Sequence, residues 1–289
     1  MTWKSGALES VRCEGEEFPI AAGQPVLIDF TRSLCSKEWF ATARKNVSVL
    51  GKRSSIARTI KGVVAGSRRA SRGNIRRLVE LLPESPVVLM VGAGTMGAGC
   101  EVLYADPDVR LIGFDIYPSD LTQFVADAHD IPLADACVDG VVIQAVLEHV
   151  LEPATVVAEV YRVLKPGGVV YAETPFMQQV HEGAYDFTRF TELGHRWLWR
   201  HFEAVDRNVI GGPGLSLYWS ARYFSRAVFR NRRIADLISL PILSLSLIDH
   251  LLPLERKIDG ANGVSFLGRK AEHPASQQDL VSSFLGAAL

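Results

Sequence analysis

An excess of charge of either sign and closely spaced cysteines are both missing from this sequence. The formal net charge is −1, so a general attraction to nucleic acid is excluded and nucleic acid is not expected as a partner. The four cysteines, Cys13, Cys35, Cys100 and Cys137, form no CxxC pair. They therefore predict neither a disulfide framework nor a bound metal, and they are typical of the reducing cytoplasm.

Long apolar runs are missing as well. The most apolar run, residues 237–248, is shorter than the roughly 20 residues that a membrane-spanning helix needs, and it is expected to form a buried or interfacial helix. Residues 1–10 lack the apolar centre of a secretory signal, so a cytoplasmic location is expected. Apolar residues still make up 48% of the chain, which is enough for a packed core.

The first third of the chain has a composition of its own. The stretch "EFPIAAGQPVLIDF" predicts a hairpin, residues 38–61 have a helical pattern, and "NIRRLVELL" predicts a short helix after a break at "VVAGSRRASRG". Between Trp39 and Arg77 there are eleven Lys or Arg residues and no Asp or Glu. A basic face for an anionic partner and a solvated pair of helices both explain this bias, and the lack of aromatic residues within the arginine run favours the second.

From Pro86 onward, strand and helix patterns alternate. The strand patterns are "VVLMVG", "VRLIGFDI", "DGVVIQAV", "VVYAETP", "FEAVDRNVI" and "GVSFLGRKAE", and the clearest helix patterns are "GAGCEVLYA" and "PATVVAEVYRVL". Such alternation predicts an α/β fold with a doubly wound, mostly parallel sheet. The hairpin and basic helices form an N-terminal extension of this fold, and a helical insertion precedes the last strand.

The glycine-rich turn after the first of these strands predicts a nucleotide-like ligand. Gly92, Gly94 and Gly97 have the spacing GxGxxG, which permits a tight turn, close approach of a ligand and close packing of the next helix. Asp115 ends the second strand, 115 − 92 = 23 residues after Gly92, near the roughly 20 expected for a carboxylate that binds ribose hydroxyls. An NAD-dependent dehydrogenase and a methyltransferase that uses S-adenosyl-L-methionine both have these features.

The motifs that follow separate the two alternatives. They are "DA" at 127–128, "IPL" at 131–133, "LEH" at 147–149 and "RVLKPGG" at 162–168. In this order and spacing they resemble the type 11 group of class I S-adenosylmethionine-dependent methyltransferases. The resemblance implies a seven-stranded Rossmann-like sheet and S-adenosyl-L-methionine as the cofactor.

By position, the resemblance also implies where the cofactor binds. The glycine turn would hold the methionyl part of the cofactor, and the end of the second strand would hold the ribose and the adenine. The segment after it would bind the exocyclic amine of the adenine. The end of the "DGVVIQAV" strand would lie near the amino-acid end of the cofactor. The residues concerned are, in that order, Gly92, Ala93 and Gly94; Asp115 and Ile116; Asp127 and Ala128; and Gln144.

Two positions depart from the family pattern. Met90 stands where the family usually has an acid, two residues before the first glycine, and Met96 stands where a third glycine would come. The missing acid is expected to weaken cofactor binding, with Glu148 compensating in part. Two alternatives therefore stay open, an NAD-dependent dehydrogenase and a non-catalytic, methyltransferase-like binding protein.

The predicted acceptor site lies in residues 174–198. Methyl transfer from a sulfonium is an in-line displacement, so the protein must align the acceptor and, for a hydroxyl, take up its proton. The block "HEGAYDFTRFT" is similar to a subgroup of these methyltransferases often encoded near glycan-assembly enzymes. His181, Asp186 and Arg189 are the predicted catalytic residues, with His181 nearest the acceptor, which is a hydroxyl or carboxyl of a glycan, glycolipid or small metabolite. The alternative is a structural polar cluster that pins this loop.

The predicted domain boundaries are 1–82 for the extension, 83–273 for the methyltransferase domain and 274–289 for a tail. A helical cap occupies about 212–258 and is rich in aromatic and arginine residues. One interpretation makes it an amphipathic surface for a peripheral membrane contact or a homodimer partner. The other, which we favour, makes it an ordinary cover for the active site.

Overall fold

The computed structural model describes residues 2–4, 7–9, 18–36, 65–229 and 231–287. Its strands are β1 (Thr2–Lys4), β2 (Ala7–Glu9), β3 (Ile20–Ala21), β4 (Gln24–Pro25), β5 (Val87–Val91), β6 (Arg110–Asp115), β7 (Phe124–Val125), β8 (Val138–Gln144), β9 (Leu164–Pro175), β10 (Phe202–Gly211) and β11 (Gly263–Lys270). Cys13 and the helical pattern at 38–61 lie outside the described residues.

Helices connect and flank these strands. The α-helices are α1 (Ala65–Leu81), α2 (Glu101–Ala105), α3 (Pro153–Val163), α4 (Glu192–Leu198), α5 (Pro213–Val228), α6 (Arg232–Ser239), α7 (Leu254–Lys257) and α8 (Gln277–Ser282). Three 3-10 helices lie at Leu147–His149, Gly183–Tyr185 and Leu240–His250.

The central sheet has seven strands in the order β10-β11-β9-β8-β5-β6-β7. The pairs β5–β6, β5–β8, β6–β7 and β8–β9 are parallel, while β11 runs antiparallel to β9 and β10. This confirms the predicted doubly wound, mostly parallel seven-stranded sheet. The antiparallel strand between β9 and β10 also distinguishes it from the six-stranded order of dinucleotide-binding domains.

Apolar side chains cover both faces of the sheet. Along β5, Leu89 and Val91 belong to the core cluster beneath α3, whereas Val88 and Met90 belong to the cluster beneath α1. Successive side chains of a strand point to opposite faces, so a strand buried on both sides reads as a continuous apolar run. That is why "VVLMV" predicts its strand so clearly.

Two helix boundaries differ from the prediction. The break expected before "NIRRLVELL" is wrong for residues 65–73, which belong to α1. Tertiary packing explains why these residues are helical. Ser71 is fully buried, and α1 packs so closely against Gly99 that a Cβ added at Gly99 would lie 2.8 Å from the backbone carbonyl carbon of Ser71. The helix after the glycine turn begins at Glu101, four residues later than Gly97, and the residues between them form turns.

The N-terminal hairpin is confirmed in its described part. β3 and β4 pair antiparallel around Ala22 and Gly23, whose φ values of 49° and 82° fit a type I′ turn. The following residues join the sheet edge, where Val26 bridges to Val125 and the Leu27 N–H donates to the Val125 carbonyl at 2.7 Å. The hairpin therefore leads the chain to the carboxyl end of β7.

The helical insertion before the last strand is also confirmed. It consists of α5, α6, the 3-10 helix at Leu240–His250 and α7. The apolar run 237–248 is interfacial, since Leu243 is buried while Leu237 and Leu247 are exposed. In the part of the chain that the structure describes, no helix combines the length and the apolar character needed to cross a bilayer.

Arg162 connects two of the sequence motifs. Its guanidinium donates to the carbonyls of Ile131 and Leu133, both at 2.7 Å, and to the carboxylates of Asp135 and Glu159, both at 2.8 Å. Glu159 in turn accepts the Ile131 N–H at 2.8 Å. The "RVLKPGG" arginine thus holds the "IPL" loop in place.

We expect Arg162→Met to lower the free energy of unfolding by about 2–3 kcal/mol, because several hydrogen bonds of a charged donor are lost and loop carbonyls lose their partner. Urea denaturation measures this change. Arg32→Met is the control, since Arg32 is exposed and lies 3.8 Å from Asp130, and its loss should be about 0.5 kcal/mol or less. Equal losses in both variants would contradict the role given to Arg162.

Candidate active site

The glycine turn and Asp115 meet at the carboxyl ends of β5 and β6. The Asp115 carboxylate accepts the Gly94 N–H at 2.8 Å and the Ile116 N–H at 2.7 Å. Burial raises the pKa of Asp115 to about 6, although these backbone hydrogen bonds act to lower it. The structure therefore brings together five of the predicted cofactor positions, because Gly92 and Ala93 belong to the same turn.

Glycine is required at two points of this turn. Gly92 has a φ of 79°, and a Cβ added there would collide with the Val146 side chain from the turn after β8. A Cβ added at Gly94 would lie 2.7 Å from Asp115 Oδ2 and 2.6 Å from Tyr117 Cε2. A backbone cradle beside a strand-end carboxylate fits the ribose and methionyl parts of S-adenosyl-L-methionine.

Gln144 lies at the end of β8, as predicted, and holds the glycine loop. Its side-chain amide donates to the Ala98 carbonyl at 3.1 Å and its oxygen accepts from the Cys100 thiol at 2.9 Å. Glu173 is its register partner on β9 and is buried, which raises the pKa of the Glu173 carboxyl. Glu173 cannot be predicted as a site residue from the sequence, because an acid within an apolar strand gives no signal of what it contacts.

Met90 pairs in register with Val142 and lies in an apolar part of the sheet. It is buried in the core cluster beneath α1, so the position where the family has an acid is apolar here. Gln144 instead donates a side-chain hydrogen bond to this loop, and Glu173 is its register partner on β9. The expected weakening of cofactor binding stays a prediction.

Asp127 and Ala128 follow β7, as predicted. Asp127 Oδ1 accepts from the backbone and ring nitrogens of His129, at 3.0 and 2.6 Å, and its Oδ2 accepts from the Ser33 hydroxyl. Burial acts to raise the pKa of Asp127, but these hydrogen bonds outweigh it and lower that pKa. Ser33 and His129 were not predicted, because their contact depends on where the N-terminal segment docks.

A cavity of about 330 Å³ lies beside Asp127. Residues from the N-terminal segment, from the loop after β7 and from the start of α3 line it, among them Ser33, His129 and Thr155. The adenine contact predicted for Asp127 and Ala128 stays a prediction, and Asp127 is among the residues that line this cavity.

The chain turns sharply after β8 and leads Glu148 into the interior. Ala145 has a φ of 53°, uncommon for a residue other than glycine, and the 3-10 helix Leu147–His149 follows. Glu148 is fully buried, and neither of its carboxylate oxygens has a hydrogen-bond partner among the described residues. Burial raises the pKa of Glu148 to about 8.

The loop after β9 is tied to this turn. The Phe187 N–H donates to the Glu148 carbonyl at 2.8 Å. His149 Nε2 and His181 Nε2 lie 3.6 and 3.9 Å from Glu148 Oε1, and the two imidazole rings are 4.9 Å apart. Burial, followed by the effect of His149, lowers the pKa of His181. The loop therefore brings His181 next to the end of β8.

Asp186 and Arg189 form the ion pair that shapes this loop. The guanidinium donates to both Asp186 oxygens and to the Gln178 carbonyl, the last at 2.9 Å. Asp186 also accepts the His181 N–H at 2.8 Å. Burial acts to raise the pKa of Asp186, but the bonds from Arg189 and His181 lower it to about 2. This geometry supports the interpretation that Asp186 and Arg189 pin the loop.

Two further observations define the surroundings. His195 is buried and accepts the Trp199 indole N–H at 2.9 Å, and burial lowers the pKa of His195 to about 3, so it is a neutral core residue. The cap contacts the loop, since the Tyr223 hydroxyl donates to the Val180 carbonyl at 2.5 Å.

Comparison with known proteins gives a family match over the middle of the chain. The family described as "Methyltransferase domain" matches residues 89–172. A protein of Mycolicibacterium smegmatis named "Probable S-adenosylmethionine-dependent methyltransferase" is 37% identical over 98 residues, which are 30% of this chain and 37% of that protein. The chain thus matches little more than a third of this relative's length.

Two solved methyltransferase structures are similar to this chain at low sequence identity. A methyltransferase from Archaeoglobus fulgidus is 17% identical, with 70% of this chain and 94% of that chain covered and a TM-score of 0.46. A 1,6-didemethyltoxoflavin-N1-methyltransferase of Burkholderia thailandensis, solved with S-adenosylhomocysteine, is 14% identical, with 83% and 92% covered and a TM-score of 0.46.

The matched residues begin within β5, end within β9 and include the glycine turn, Asp115 and the "LEH" turn. In this part of the chain, these three features lie at the carboxyl ends of the parallel strands β5, β6 and β8. Residues 89–172 therefore belong to the methyltransferase domain family, the type 11 group of class I S-adenosylmethionine-dependent methyltransferases.

Proposed function

We propose that the whole chain is an enzyme that transfers a methyl group from S-adenosyl-L-methionine to an acceptor oxygen, a hydroxyl or carboxyl of a glycan, glycolipid or small metabolite. The observation that carries this proposal is the placement of His181, His149 and Glu148 at the end of β8. β8 is the sheet neighbour of β5, and Val146 of the same turn contacts the position of Gly92. Side chains that can accept or donate a proton thus lie beside the glycine turn.

The chain's own residues supply binding and orientation. The Gly92–Gly94 backbone receives the methionyl part of the cofactor and Asp115 accepts from the ribose hydroxyls. When bound, the cofactor supplies an electrophilic methyl group on a positively charged sulfur. Because the leaving thioether is neutral, no acid is needed, and the remaining task is to align the acceptor oxygen.

His181 is the residue that we place nearest the acceptor. Its Nδ1 lies 3.2 Å from Asp186 Oδ2, so the carboxylate orients the imidazole and leaves Nε2 on the side of Glu148. Asp186 and Arg189 act as positioning residues, since both are engaged with each other and with backbone groups of the loop.

The cap is proposed to cover the acceptor side. Gln179 Nε2 donates to Ser220 Oγ at 3.0 Å and Tyr223 reaches Val180, so α5 touches the loop that carries His181. The cap also has exposed apolar residues, such as Phe224 and Leu251. They are compatible with a peripheral membrane contact and with a homodimer, and both stay predictions. The free thiols of Cys35 and Cys100 support a cytoplasmic location.

The activity is tested with cofactor labelled in its methyl group. The full chain is incubated with polar and lipid extracts fractionated by size and charge, and label is counted in each fraction. Mild base then separates the two acceptor classes, because a methyl ester is cleaved and a methyl ether is not. Transfer of label to a stable product supports the proposal, whereas cofactor binding without transfer would favour the non-catalytic alternative.

Cofactor affinity is expected to depend on pH through Asp115. The ribose hydroxyls favour the ionised carboxylate, so its pKa of about 6 falls on binding. Affinity for S-adenosylhomocysteine is then constant above pH 7 and declines below pH 6, by up to about tenfold per pH unit. Calorimetric titrations from pH 5 to 8 measure this slope.

Asp115→Asn is the matched variant for this titration. It keeps the size of the side chain and should bind more weakly at pH 7.5, with the slope below pH 6 removed. A wild-type slope that persists in Asp115→Asn would show that another group is responsible. Binding of NADH in place of S-adenosylhomocysteine would favour the dehydrogenase alternative.

A further inference from the structure

Glu148, His149 and His181 offer three metal-binding atoms at one point. One ligand atom from each residue lies within 4.8 Å of the other two. The Glu148 Oε1 distances to His149 Nε2 and His181 Nε2 are 3.6 and 3.9 Å. Ligand atoms at about 2.0–2.2 Å from a tetrahedral zinc ion lie about 3.3–3.6 Å apart, so small side-chain movements close the set.

The outer nitrogens of both imidazoles are held by acceptors. His149 Nδ1 lies 2.6 Å from the Tyr185 carbonyl oxygen. His181 Nδ1 lies 3.2 Å from Asp186 Oδ2 and 3.4 Å from the Gln179 carbonyl oxygen. These acceptors require the proton on Nδ1, which leaves the lone pair of each Nε2 directed at Glu148. Metal-binding histidines are oriented in this way by outer carboxylates and carbonyls.

Within the described part of the chain, Glu148 lacks a hydrogen-bond partner for its side chain. This side chain is fully buried, and the lack concerns both carboxylate oxygens. A buried carboxyl group without a hydrogen-bond partner is costly, and an imidazole Nε2 is an acceptor when the ring proton is on Nδ1. A divalent cation can bind the Glu148 carboxylate and both Nε2 atoms at once. A single proton shared between Glu148 and one imidazole leaves the Nε2 of the second imidazole without a partner.

The ligand types select the class of ion. Two imidazoles and one carboxylate suit zinc, iron, cobalt or manganese better than magnesium or calcium, which prefer oxygen ligands. Three protein ligands also leave at least one coordination position open, as in catalytic sites. The sequence predicts no metal, because it has no closely spaced cysteine pair and the three ligands come from two separate segments.

We propose that Glu148, His149 and His181 bind a divalent transition-metal ion whose open position holds the acceptor hydroxyl oxygen. This inference rests on the proposed function and narrows the acceptor to a hydroxyl. The bound ion lowers the pKa of the hydroxyl, and its proton leaves to solvent. The oxygen lone pair forms the new O–CH₃ bond while the C–S bond breaks and its electron pair returns to sulfur. The products are a methyl ether, S-adenosylhomocysteine and one proton.

Metal binding is tested on the full chain without an affinity tag, after dialysis against a chelator. Zn²⁺ is titrated by calorimetry, and Co²⁺ is added separately so that its visible absorption reports the ligand geometry. We expect one Zn²⁺ per chain and tetrahedral or five-coordinate Co²⁺ bands. Glu148→Gln and His149→Ala should each weaken Zn²⁺ binding by at least about 100-fold. His201→Ala is the matched control, because the His201 ring lies edge-on to Tyr161 and is not among these ligands, and it should bind Zn²⁺ as the wild type does.

The outcomes separate this proposal from the proposed function. S-adenosylhomocysteine is titrated into the same metal-free protein, and circular dichroism verifies that each variant is folded. Cofactor binding without Zn²⁺ binding, or Zn²⁺ binding equal in wild type and both ligand variants, would overturn the metal site alone. Zn²⁺ binding without cofactor binding would instead leave the metal site standing and refute the methyltransferase proposal.

Discussion

Gly94→Val is expected to reduce the affinity for S-adenosylhomocysteine by at least about 100-fold, which corresponds to about 2.7 kcal/mol. A Cβ at this position would lie 2.7 Å from Asp115 Oδ2 and 2.6 Å from Tyr117 Cε2. The valine therefore displaces the Asp115 carboxylate and breaks its 2.8 Å hydrogen bond with the residue-94 N–H. The methionyl and ribose contacts are lost together, because this one residue positions both.

Calorimetry at pH 7.5 measures the effect, and Gly73→Ala is the control. A Cβ added at Gly73 meets no atom within 4 Å, and its place in α1 makes alanine neutral or slightly stabilising. The control should bind as the wild type does, and both variants should keep their far-ultraviolet circular dichroism. An affinity within threefold of wild type in folded Gly94→Val would mean that the cofactor does not lie over this turn.

The parts of the fold that could be predicted are those with a clear local pattern of apolar residues. β5 and β8 are apolar runs of strand length, and the buried face of α3 repeats every 3.6 residues, so their positions follow from the order of apolar residues. β7 has only two residues, too few for a pattern, and it was missed. The start of α1 was missed because packing against Gly99 outweighs the low helix propensity of its glycines and serines.

The candidate site also contains residues that could be predicted from the sequence and contacts that could not. Asp115 could be predicted because a strand end and a fixed spacing from Gly92 identify it. The Ser33–Asp127 contact could not, since it joins residues 94 positions apart through the docking of the N-terminal segment. The meeting of His181 with Glu148 likewise depends on β9 lying beside β8, which no local pattern shows.

Trp199 is the side chain whose removal should cost the most stability. It is fully buried at the end of α4, where its ring stacks on Phe266 of β11 with a 5.9 Å centroid distance and meets Phe202 edge-on at 5.3 Å. Its indole N–H also donates to His195 Nε2 at 2.9 Å. Truncation therefore opens a cavity between helix and sheet and leaves a buried acceptor without its donor.

We expect Trp199→Ala to lower the free energy of unfolding by about 3–5 kcal/mol, measured by urea denaturation at pH 7.5. Trp197→Ala is the matched control, because Trp197 lies in the same helix but is half-buried, with the Arg200 guanidinium 4.9 Å from its ring centroid. Its loss should stay near 1 kcal/mol, since the space it leaves is filled by solvent. If the two variants were equally destabilised, burial beneath α4 would not be the source of the effect. A Trp199→Phe variant then separates the two causes, because it restores most of the ring contacts and still leaves His195 unpaired.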